Sequence, residues 1–526
     1  MDQEMTDKRS DWVGAFGAML FALTLYLPFL SVNYDLNGLY EKAAVEEGML
    51  GTLFYQNHLL YRPVSYWVYQ AAVHSGFSGN SLHILQIVTA VFGALGIGFA
   101  YLVFLQIGQD RLVAFLASLW LATSWAFWYF STDVSYISLA ALFAAAAIAV
   151  FLRAESNWSA AVAGILAGLA VLTWQANALL IPVIVICALL LKPSGNNHSL
   201  LAKTAVSVAS SLLLTVVTYV AVGIFVYGQR TPVELLRWFF RYGTGLTLPM
   251  WGQWSLARVS SAFGTLLSSI LPVNPRLVMG EFPDLAPPSN AAYQWSLLAL
   301  VLLGGLLAIQ LITNARKSKS AVRVVAWAFA SYAIYLGFII WWDPFEPKWF
   351  LIPNLFLGMV MVACCGPRPA TLTKSLLLIL TMIIATATFS STIWPRHSEE
   401  KRPMRLARCV ASKMSGEDLF LATDWAWTGY LRYLHQRQVI SVLEVAPSSP
   451  TKEAMVEKIR DATVKVQNAE HHVYMVDFSS YADGHAEWLQ SQTGFTPDDM
   501  SGWDFEPGFV CDGIKFLRLR NITGQY

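Results

Sequence analysis

Charged residues are scarce in this chain. Lysine, arginine, aspartate and glutamate together make up 13% of its 526 residues, while hydrophobic residues make up 56%. Soluble domains carry roughly 25% charged residues, so the composition excludes a wholly soluble protein and indicates an integral membrane protein. The net charge of +1 gives no general electrostatic attraction to nucleic acid.

Several familiar motifs are also absent. The sequence has no Walker A loop, so ATP-driven transport is not indicated. It has no HExxH motif, no GxSxG elbow, no His/Cys cluster with zinc spacing and no Asp-x-Asp pair in the first polar loop. The corresponding metal-dependent and serine-dependent hydrolases are therefore not indicated either.

Cysteine is scarce as well. Three of the five cysteines lie in hydrophobic runs, and the other two, Cys409 and Cys511, lie in the polar C-terminal region. An oxidising compartment would allow a disulfide between these two. Two cysteines alone do not establish a pair, so the pairing is left open.

Long hydrophobic runs fill most of the first 393 residues. Each is close to the roughly 20 residues that a helix needs to cross a bilayer, and backbone hydrogen bonding in lipid leaves the helix as the only option. The sequence predicts about eleven transmembrane helices, at residues 12–31, 81–107, 111–129, 134–153, 158–173, 176–191, 204–227, 293–313, 323–342, 349–366 and 375–393.

Basic residues are distributed unevenly between the short loops, which sets the orientation. With the N-terminus in the cytoplasm, the positive-inside rule places almost all of them on the cytoplasmic side, namely Lys8, Arg9, Arg111, Arg153, Lys192, Lys203, Arg316, Lys317, Lys319, Arg323, Arg368 and Lys374. Residues 32–80, residues 229–292 and the region from about residue 394 then lie outside. We expect a multi-pass protein of an inner or plasma membrane whose polar features are concentrated on its outer face.

The C-terminal region has a different composition, with more charge, glycine and proline. Leu419–Thr423 is predicted as a buried strand, followed by a helix at Trp425–His435. His472–Asp477 is predicted as another strand, after an amphipathic helix at Lys452–Ala469. Alternating strands and helices predict a small α/β domain.

The expected fold class follows from these two parts. Residues 1–393 form a polytopic α-helical membrane module with the outer loops 32–80 and 229–292. Residues 394–526 form a small soluble α/β domain on the extracytoplasmic side.

An acidic residue, Asp35, follows the first predicted span. An ionisable group at the rim of a membrane protein is costly to keep without a function. Asp35 could be a general base that takes a proton from an acceptor hydroxyl. It could also cap the helix predicted to run from Leu36 to about Gly48, and the two roles are not exclusive. The apolar residues of that helix have helical spacing, which favours a helix lying flat on the membrane surface.

The same loop carries His58 and Arg62. They are four residues apart, so on a helix they would share a face. Arg62 could bind a phosphate through two parallel hydrogen bonds. The alternative is an interfacial arginine that faces water or lipid headgroups.

Two further candidates, Asp133 and Tyr136, lie at the outer mouth between the third and fourth spans. The alternative for Asp133 is that it caps the next helix. Its location on the same face as Asp35 favours a place in a site.

Lys348 is the only base in a short outside turn, against the trend of the other loops. A cation held at the outer rim is well placed to bind a lipid phosphate. The alternatives are a lysine that extends to the interface and a lysine paired with Glu346.

The longest outside insertion between spans is residues 229–292. A loop of this length is usually functional or disordered. Its amphipathic run Val233–Arg241 would fit a re-entrant or interfacial helix with a loop that covers the substrate. Its arginines are Arg230, Arg237, Arg241, Arg258 and Arg276.

Four local patterns together resemble the GT-C superfamily of integral membrane glycosyltransferases, which use polyprenyl-phosphate-linked sugars. The first is the acid after the first span, Asp35. The second is His58–Trp67, which looks like the His/Pro or Lys-Pro-Pro segments of protein mannosyltransferases and aminoarabinose transferases. The third is Gly164–Thr173 continuing to Pro182, similar to a Gly-Leu-Ala helix pair of that superfamily. The fourth is Lys348–Pro353, which looks like the Arg-Tyr-x-x-Pro segment that opens a late span.

The resemblance implies roles for these residues. Asp35 would be the catalytic base, Lys348 would contact the donor phosphate with Arg62 as a helper, and Asp133 would be a second acid near the acceptor. The chain departs from the family in having Lys348 where arginine is usual and Leu36 where a paired acid would stand. These departures put an obligatory metal in doubt, so no cofactor is assigned and a divalent metal is left open.

We therefore expect a membrane glycosyltransferase. Its partners would be a polyprenyl-phosphate-linked sugar donor, a glycan, lipid or protein acceptor, and membrane lipids, with no nucleic acid. The residues expected to contact acceptor or substrate are His58, Asp133, Tyr136 and Glu346. The alternatives are a lipid or polysaccharide transporter or flippase, a non-catalytic envelope-assembly subunit, and a ligase that uses a diphosphate-linked oligosaccharide.

Overall fold

The computed structural model describes residues 2–191, 197–240, 252–271, 290–315, 319–424, 426–481 and 484–522. The part before residue 399 forms a helix bundle with connecting helices. These helices are α1 (Asp2–Tyr26), α2 (Leu36–Glu47), α3 (Leu50–Leu53), α4 (Tyr61–His74), α5 (Ser81–Gly108), α6 (Arg111–Thr123), α7 (Trp125–Ser131), α8 (Tyr136–Leu152), α9 (Asn157–Thr173), α10 (Leu180–Leu190), α11 (Asn197–Phe225), α12 (Pro232–Phe239), α13 (Leu256–Ile270), α14 (Asn290–Ala315), α15 (Lys319–Trp342), α16 (Leu351–Cys365), α17 (Thr371–Thr388) and α18 (Trp394–Ser398).

The predicted spans correspond to apolar helices. Within the described residues, seven helical segments are long and apolar enough to cross a membrane. The helices α6 and α7, bent by 65° at their junction, make an eighth if they count as one broken span, and α8, α9 and Gln175–Leu190 are shorter apolar segments. Each of the eleven predicted spans coincides with one of these elements. The expected polytopic helical membrane protein is therefore confirmed.

Ion pairs join the helix ends at the face that carries the bases predicted to be cytoplasmic. Asp11 of α1 lies 3.5 Å from Arg111 and 3.3 Å from Arg153. Asp110, which caps α6, lies 2.7 Å from Lys374 at the start of α17. Three of the predicted cytoplasmic bases thus meet carboxylates at one end of the bundle.

Helices α9 and α11 approach each other closely through glycines. A Cβ atom added at Gly164 would lie 2.1 Å from the carbonyl oxygen of Ser207, and one at Gly168 would lie 3.2 Å from that of Ser211. Small residues spaced four apart allow two helix backbones to come this close in a membrane. Packing therefore accounts for the glycines of the Gly164–Thr173 pattern.

The C-terminal part is an α/β unit, as predicted. Its five strands form one sheet in the order β2-β1-β3-β5-β4. Its elements are α19 (Arg402–Lys413), β1 (Leu419–Ala422), α20 (Ala426–Tyr433), β2 (Gln438–Ser441), α21 (Val442–Val445), α22 (Lys452–Asn468), β3 (Val473–Val476), α23 (His485–Thr493), β4 (Trp503–Cys511) and β5 (Ile514–Ile522).

The central strand β1 is buried on both faces. It pairs in parallel with β2 and β3, while β5 runs antiparallel to β3 and β4. Leu419 and Leu421 pack in one hydrophobic cluster, and Phe420 and Ala422 pack in another on the opposite face. Such two-sided burial explains why the strand is a continuous apolar run in the sequence.

A disulfide joins Cys409 of α19 to Cys511 at the end of β4, with the Cα atoms 5.9 Å apart. The pairing that the sequence left open is thus present. The bridge fixes α19, which follows the last span, to the antiparallel edge of the sheet.

The first loop does not lie flat on a membrane surface. Its helix α2 packs between the bundle helices α4 and α5 and helix α20 of the α/β unit. The charged residues Glu41 and Lys42 are only 2% and 8% exposed, and they pair with Arg62 and Glu46. The predicted surface orientation is wrong, because both faces of α2 are covered by other parts of the chain.

The insertion at residues 229–292 contains two described helices. The short helix α12 begins with a capping box between Thr231 and Glu234 and with Pro232 at its first position, which agrees with the predicted amphipathic run. The second helix, α13, is not predicted from the sequence. Arg241 and Arg276 lie outside the described residues, as do Lys192, Arg316, Lys317 and Trp425 among the other predicted features.

The predicted domain boundary at residues 393 and 394 stays a prediction. Helix α17 continues through a π-helical turn at Phe389–Ile393 into α18. The last span and the segment that leads to the α/β unit are therefore one continuous helical rod.

The glycine contact between α9 and α11 can be tested by adding a methyl group. Gly164→Ala should destabilise the protein by about 1–3 kcal/mol, because a backbone oxygen cannot move away on its own. The control is Gly304→Ala in α14, where a Cβ would meet nothing within 4 Å, so it should be neutral or stabilising by up to about 1 kcal/mol. Thermal unfolding of the purified protein in detergent measures both changes, and equal melting of the two variants would contradict the close approach.

Candidate functional site

Asp35 caps α2 at the end of the bundle that contacts the α/β unit, hereafter the domain end. Its Oδ1 accepts hydrogen bonds from the backbone N–H and the side-chain amide of Asn37, at 2.8 and 2.7 Å. Within the described chain its Oδ2 accepts no hydrogen bond, and the side chain is partly exposed. One carboxylate oxygen is thus held by the helix, while the other is free to react.

A buried ion pair holds the backbone at Asp35. Asp133 Oδ2 accepts from the Asp35 N–H at 2.8 Å and from Arg396 Nη2 at 2.6 Å. Asp133 and Arg396 are 0% and 2% exposed. Burial raises the pKa of the Asp133 carboxyl, and Arg396 opposes that rise by stabilising the ionised form. The alternative that Asp133 caps α8 is excluded, because Ser135 is the N-cap.

Arg396 also binds the first loop directly. Its Nη2 donates to the Asn33 carbonyl at 2.9 Å, and the Asn33 side chain donates to the Glu399 carbonyl and accepts from the Lys401 N–H, both at 2.7 Å. Arg396 and Asn33 are absent from the predicted site. The signal that singles out Lys348, a base at the outer end of a span, also applies to Arg396 and could have identified it.

Lys348 is buried in the turn between α15 and α16. Its Nζ lies 3.3 Å from Glu346 Oε2 and 4.7 Å from the centre of the Trp349 indole. Asp343 in the same turn accepts a hydrogen bond from Trp349 Nε1 at 3.3 Å. The lysine is 5% exposed, so it pairs with Glu346 instead of extending into solvent.

Carboxylates outnumber cations around this turn. Burial raises the pKa of Glu346, the Lys348 charge lowers it, and Asp343 and Asp35 raise it again. Asp35 acts electrostatically on Lys348 as well. The first loop and the late turn therefore lie close enough for their charges to act on each other, although they are more than 300 residues apart in sequence.

His58 and Tyr136 form a stacked pair, with ring centres 3.5 Å apart. His58 Nδ1 lies 3.2 Å from the Thr173 carbonyl oxygen, and the Tyr136 ring centre lies 6.5 Å from that of Trp349. Burial, reinforced by the charge of Arg62, lowers the pKa of His58 well below its usual value. The imidazole is therefore neutral at pH 7, and it lines the site as a polar ring without a charge.

Arg62 is hydrogen-bonded to other residues of the first loop, and it does not share a helix face with His58. Helix α4 begins at Tyr61, so His58 precedes it and the predicted common helix face is wrong. Arg62 donates through Nε and Nη2 to Glu41 at 2.9 and 3.2 Å, and through Nη1 to the Thr52 carbonyl at 2.8 Å. Glu41 thus occupies the paired donors that a phosphate would use.

The described residues contain no group of three His, Cys, Asp or Glu side chains that could hold a metal ion. Near Asp35, the Asp133 carboxylate is bound to Arg396 and the Glu346 carboxylate is paired with Lys348.

The whole chain is similar in structure to solved membrane glycosyltransferases. ArnT from Cupriavidus metallidurans bound to undecaprenyl phosphate matches 99% of this chain and 100% of its own length, with a TM-score of 0.57 and 11% sequence identity. The oligosaccharyltransferase AglB from Archaeoglobus fulgidus, in complex with an inhibitory peptide and a dolichol-phosphate, matches 95% of this chain and 73% of its own, with a TM-score of 0.52 and 13% identity. This chain has the GT-C fold.

At the level of structure, the GT-C fold confirms the resemblance that the four sequence patterns indicate. Neither a family model nor a curated protein matches the sequence. The neighbours themselves are GT-C glycosyltransferases. At 11–13% identity the likeness shows the fold alone. The roles of individual residues depend on the geometry of this chain.

The buried ion pair at the domain end can be tested with a double-mutant cycle. Arg396→Met should cost about 3–5 kcal/mol in stability, because it leaves the Asp133 carboxylate buried without a partner. Adding Asp133→Asn should recover part of that loss. Thermal unfolding in detergent is the measurement. The control is Arg408→Met, since Arg408 pairs with Glu400 at a side-chain exposure of 66%, and it should change stability by less than about 0.5 kcal/mol. Strictly additive losses at positions 133 and 396 would contradict the coupling.

Proposed function

We propose that this protein is a glycosyltransferase that moves a sugar from a polyprenyl-phosphate donor to an acceptor. The observation that carries the proposal is the state of Asp35. Its backbone N–H is held by Asp133 and its Oδ1 by the cap of α2, while its Oδ2 accepts no hydrogen bond within the described residues. The residue is partly exposed and close enough to the Lys348 turn to act on it electrostatically. This is the arrangement that a general base needs, namely a held carboxylate with one free oxygen. The GT-C fold, shared with structures that contain undecaprenyl phosphate and dolichol-phosphate, supports the donor class.

The proposed reaction is a single displacement. The acceptor hydroxyl oxygen attacks the anomeric carbon of the donor sugar while its proton passes to Asp35 Oδ2. The bond between the anomeric carbon and the phosphate oxygen breaks, and polyprenyl phosphate leaves with the bonding electron pair. Lys348 would stabilise the charge that develops on the leaving phosphate. One displacement inverts the configuration at the anomeric carbon.

The other predicted residues receive supporting roles. Tyr136 and neutral His58 would line the substrate cavity, and Glu346 would release Lys348 when the phosphate arrives. Asp133 would position Asp35 and not contact the acceptor, because its oxygens are bound to Arg396, the Asp35 N–H and the Val134 N–H. Arg62 is a weaker candidate for phosphate binding, since Glu41 holds it. No step is routed through a metal.

The proposed orientation places the reaction on the non-cytoplasmic side. The bases near Asp11 and Asp110 would face the cytoplasm under the positive-inside rule. Asp35, Lys348 and the α/β unit at the opposite end would then face outward. A bilayer-embedded donor would reach the site between helices, and a water-borne or lipid acceptor would enter from outside.

Asp35→Asn separates the capping role from the catalytic role. Asparagine caps helices as well as aspartate does, so the variant should fold normally. It should lose about 10²–10⁴-fold in transfer rate, because the amide cannot accept the proton. Mass spectrometry of lipid extracts and envelope glycans should show accumulated polyprenyl-phosphate sugar and the loss of one glycan modification.

The matched control for that experiment is Asp110→Asn. Asp110 is also a helix-capping aspartate, but it lies at the opposite end of the bundle. Its variant should leave both lipid and glycan pools unchanged. Normal transfer by Asp35→Asn at wild-type protein levels would exclude the proposed base.

Lys348→Met should reduce the transfer rate by about 10²–10³-fold, since it removes a charge aimed at the leaving phosphate. Lys348→Arg should keep most of the activity, because arginine retains the charge and also binds phosphate. Lys374→Met, which removes an ion-paired lysine at the opposite end, is the control. Rates are measured with purified protein and a synthetic polyprenyl-phosphate sugar, and an active Lys348→Met enzyme would overturn the phosphate role.

A further inference from the structure

Four polar side chains meet in the α/β unit, outside the proposed transferase site. Thr423 and Asp424 directly follow β1, and Tyr481 and His485 follow β3. All four therefore lie at the carboxyl edge of the two central parallel strands. None of them has a part in the transfer reaction proposed above.

A chain of hydrogen bonds connects these side chains and fixes the direction of each donor. Tyr481 Oη donates to Asp424 Oδ2 at 2.8 Å, and Thr423 Oγ1 donates to Tyr481 Oη at 2.8 Å. His485 Nε2 lies 3.4 Å from Thr423 Oγ1. Because an ionised carboxylate only accepts, the hydroxyls must donate towards Asp424, which assigns the imidazole proton to Nε2.

This direction leaves two hydrogen-bond acceptors without a donor. Asp424 Oδ1 and His485 Nδ1 are both buried and have no hydrogen-bond partner in the part of the chain that the structure describes. Their residues are 8% and 7% exposed. Buried polar atoms are nearly always partnered in native proteins, and an unpartnered carboxylate oxygen is costly to keep. Two such atoms at the ends of one chain point to a group that supplies donors.

The sheet topology marks the same place independently. Strand β1 lies between β2 and β3, and the chain leaves β1 towards β2 but leaves β3 towards the antiparallel strands on the other side. In open α/β sheets, ligands bind outside the carboxyl ends of adjacent strands whose connections leave in opposite directions. Thr423, Asp424, Tyr481 and His485 are the polar residues at that switch point.

We propose that this edge is a second ligand site, which binds a polyhydroxylated ligand of the sugar class. The ligand would donate hydrogen bonds from two hydroxyls to Asp424 Oδ1 and His485 Nδ1. The surrounding rings suit a sugar, since Tyr481 stacks on His485 at 3.8 Å and the Trp488 ring centre lies 5.7 Å from that of His485. Of the two acceptors, Asp424 Oδ1 is charged and His485 Nδ1 is uncharged. Two hydroxyls therefore fit this pair better than the two cationic groups of a diamine would. This binding does not depend on the proposed transferase activity.

Equilibrium dialysis of the full-length protein in detergent tests the proposal. The probe is the lipid-free oligosaccharide pool released from envelopes of the expressing cells by mild acid, and mass spectrometry identifies the retained glycan. We expect saturable retention that Asp424→Asn and His485→Phe each weaken at least tenfold. The control is Asp477→Asn, which changes a partly exposed carboxylate that caps the turn after β3 at the same edge, and it should bind like the wild type. Asp35→Asn should also bind normally, whether or not it transfers sugar.

Two further readouts separate binding from folding. Asp424 is buried with its pKa raised to about 6, so Asp424→Asn removes an unfavourable buried charge and should not lower the melting temperature at pH 8. The phenyl ring in His485→Phe keeps the stack on Tyr481. A lower melting temperature for Asp424→Asn would assign Asp424 a purely structural role and overturn the proposal. So would a wild type that retains no glycan, variants that retain it equally, or retention of 1,3-diaminopropane in place of the glycan.

Discussion

The buried ion pair between Asp133 and Arg396 is the contact on which the domain end of this protein depends. It joins three segments that are far apart in sequence, namely the loop after the first span, the turn between α7 and α8, and the rod that follows the last span. A buried pair of this kind contributes little net stability compared with an apolar substitute, but either member alone is strongly unfavourable. Its value lies in geometry, because it fixes the Asp35 backbone against the chain that carries the α/β unit.

Negative charges are in excess around Lys348. Three carboxylates, from Asp35, Asp343 and Glu346, act on one buried lysine. In the proposed enzyme, a donor phosphate would add negative charge to this surplus, so one carboxylate would have to move away. Glu346 is suited to this, since its side chain remains 30% exposed and burial raises its pKa. In the proposed enzyme, the Glu346–Lys348 pair would rearrange as the donor binds.

Much of the fold could be predicted from local sequence signals. Each of the eleven apolar runs predicted as spans coincides with an apolar helical element, although only seven or eight of these are long enough to cross a membrane. The continuous apolar run at Leu419 and the strand at Val473 indicated the α/β unit. The burial of α2 could not be predicted, because its amphipathic pattern fits a membrane surface as well as an interface between two protein layers. The strands β2, β4 and β5 were not predicted, since strands that are partly exposed lack a continuous apolar run. At the site, Asp35 and Lys348 stood out as exceptions to membrane rules. Arg396 is an exception of the same kind, but its pairing with Asp133 across 263 residues leaves no local pattern.

Helix α2 also limits how this protein can be rearranged by evolution or by design. The same helix begins at Asp35 and carries the contact with the α/β unit, where a Cβ at Gly429 would lie only 2.1 Å from Leu36 Cδ1. Tyr430 and Glu444 bind Tyr34 and Tyr40 across the same seam. A C-terminal domain grafted from a relative would meet the Leu36 side chain, next to Asp35, unless it brought a glycine at that position or the leucine moved aside. A graft that also carried the first turns of α2 would keep this seam intact, although it would cross the apparent domain boundary.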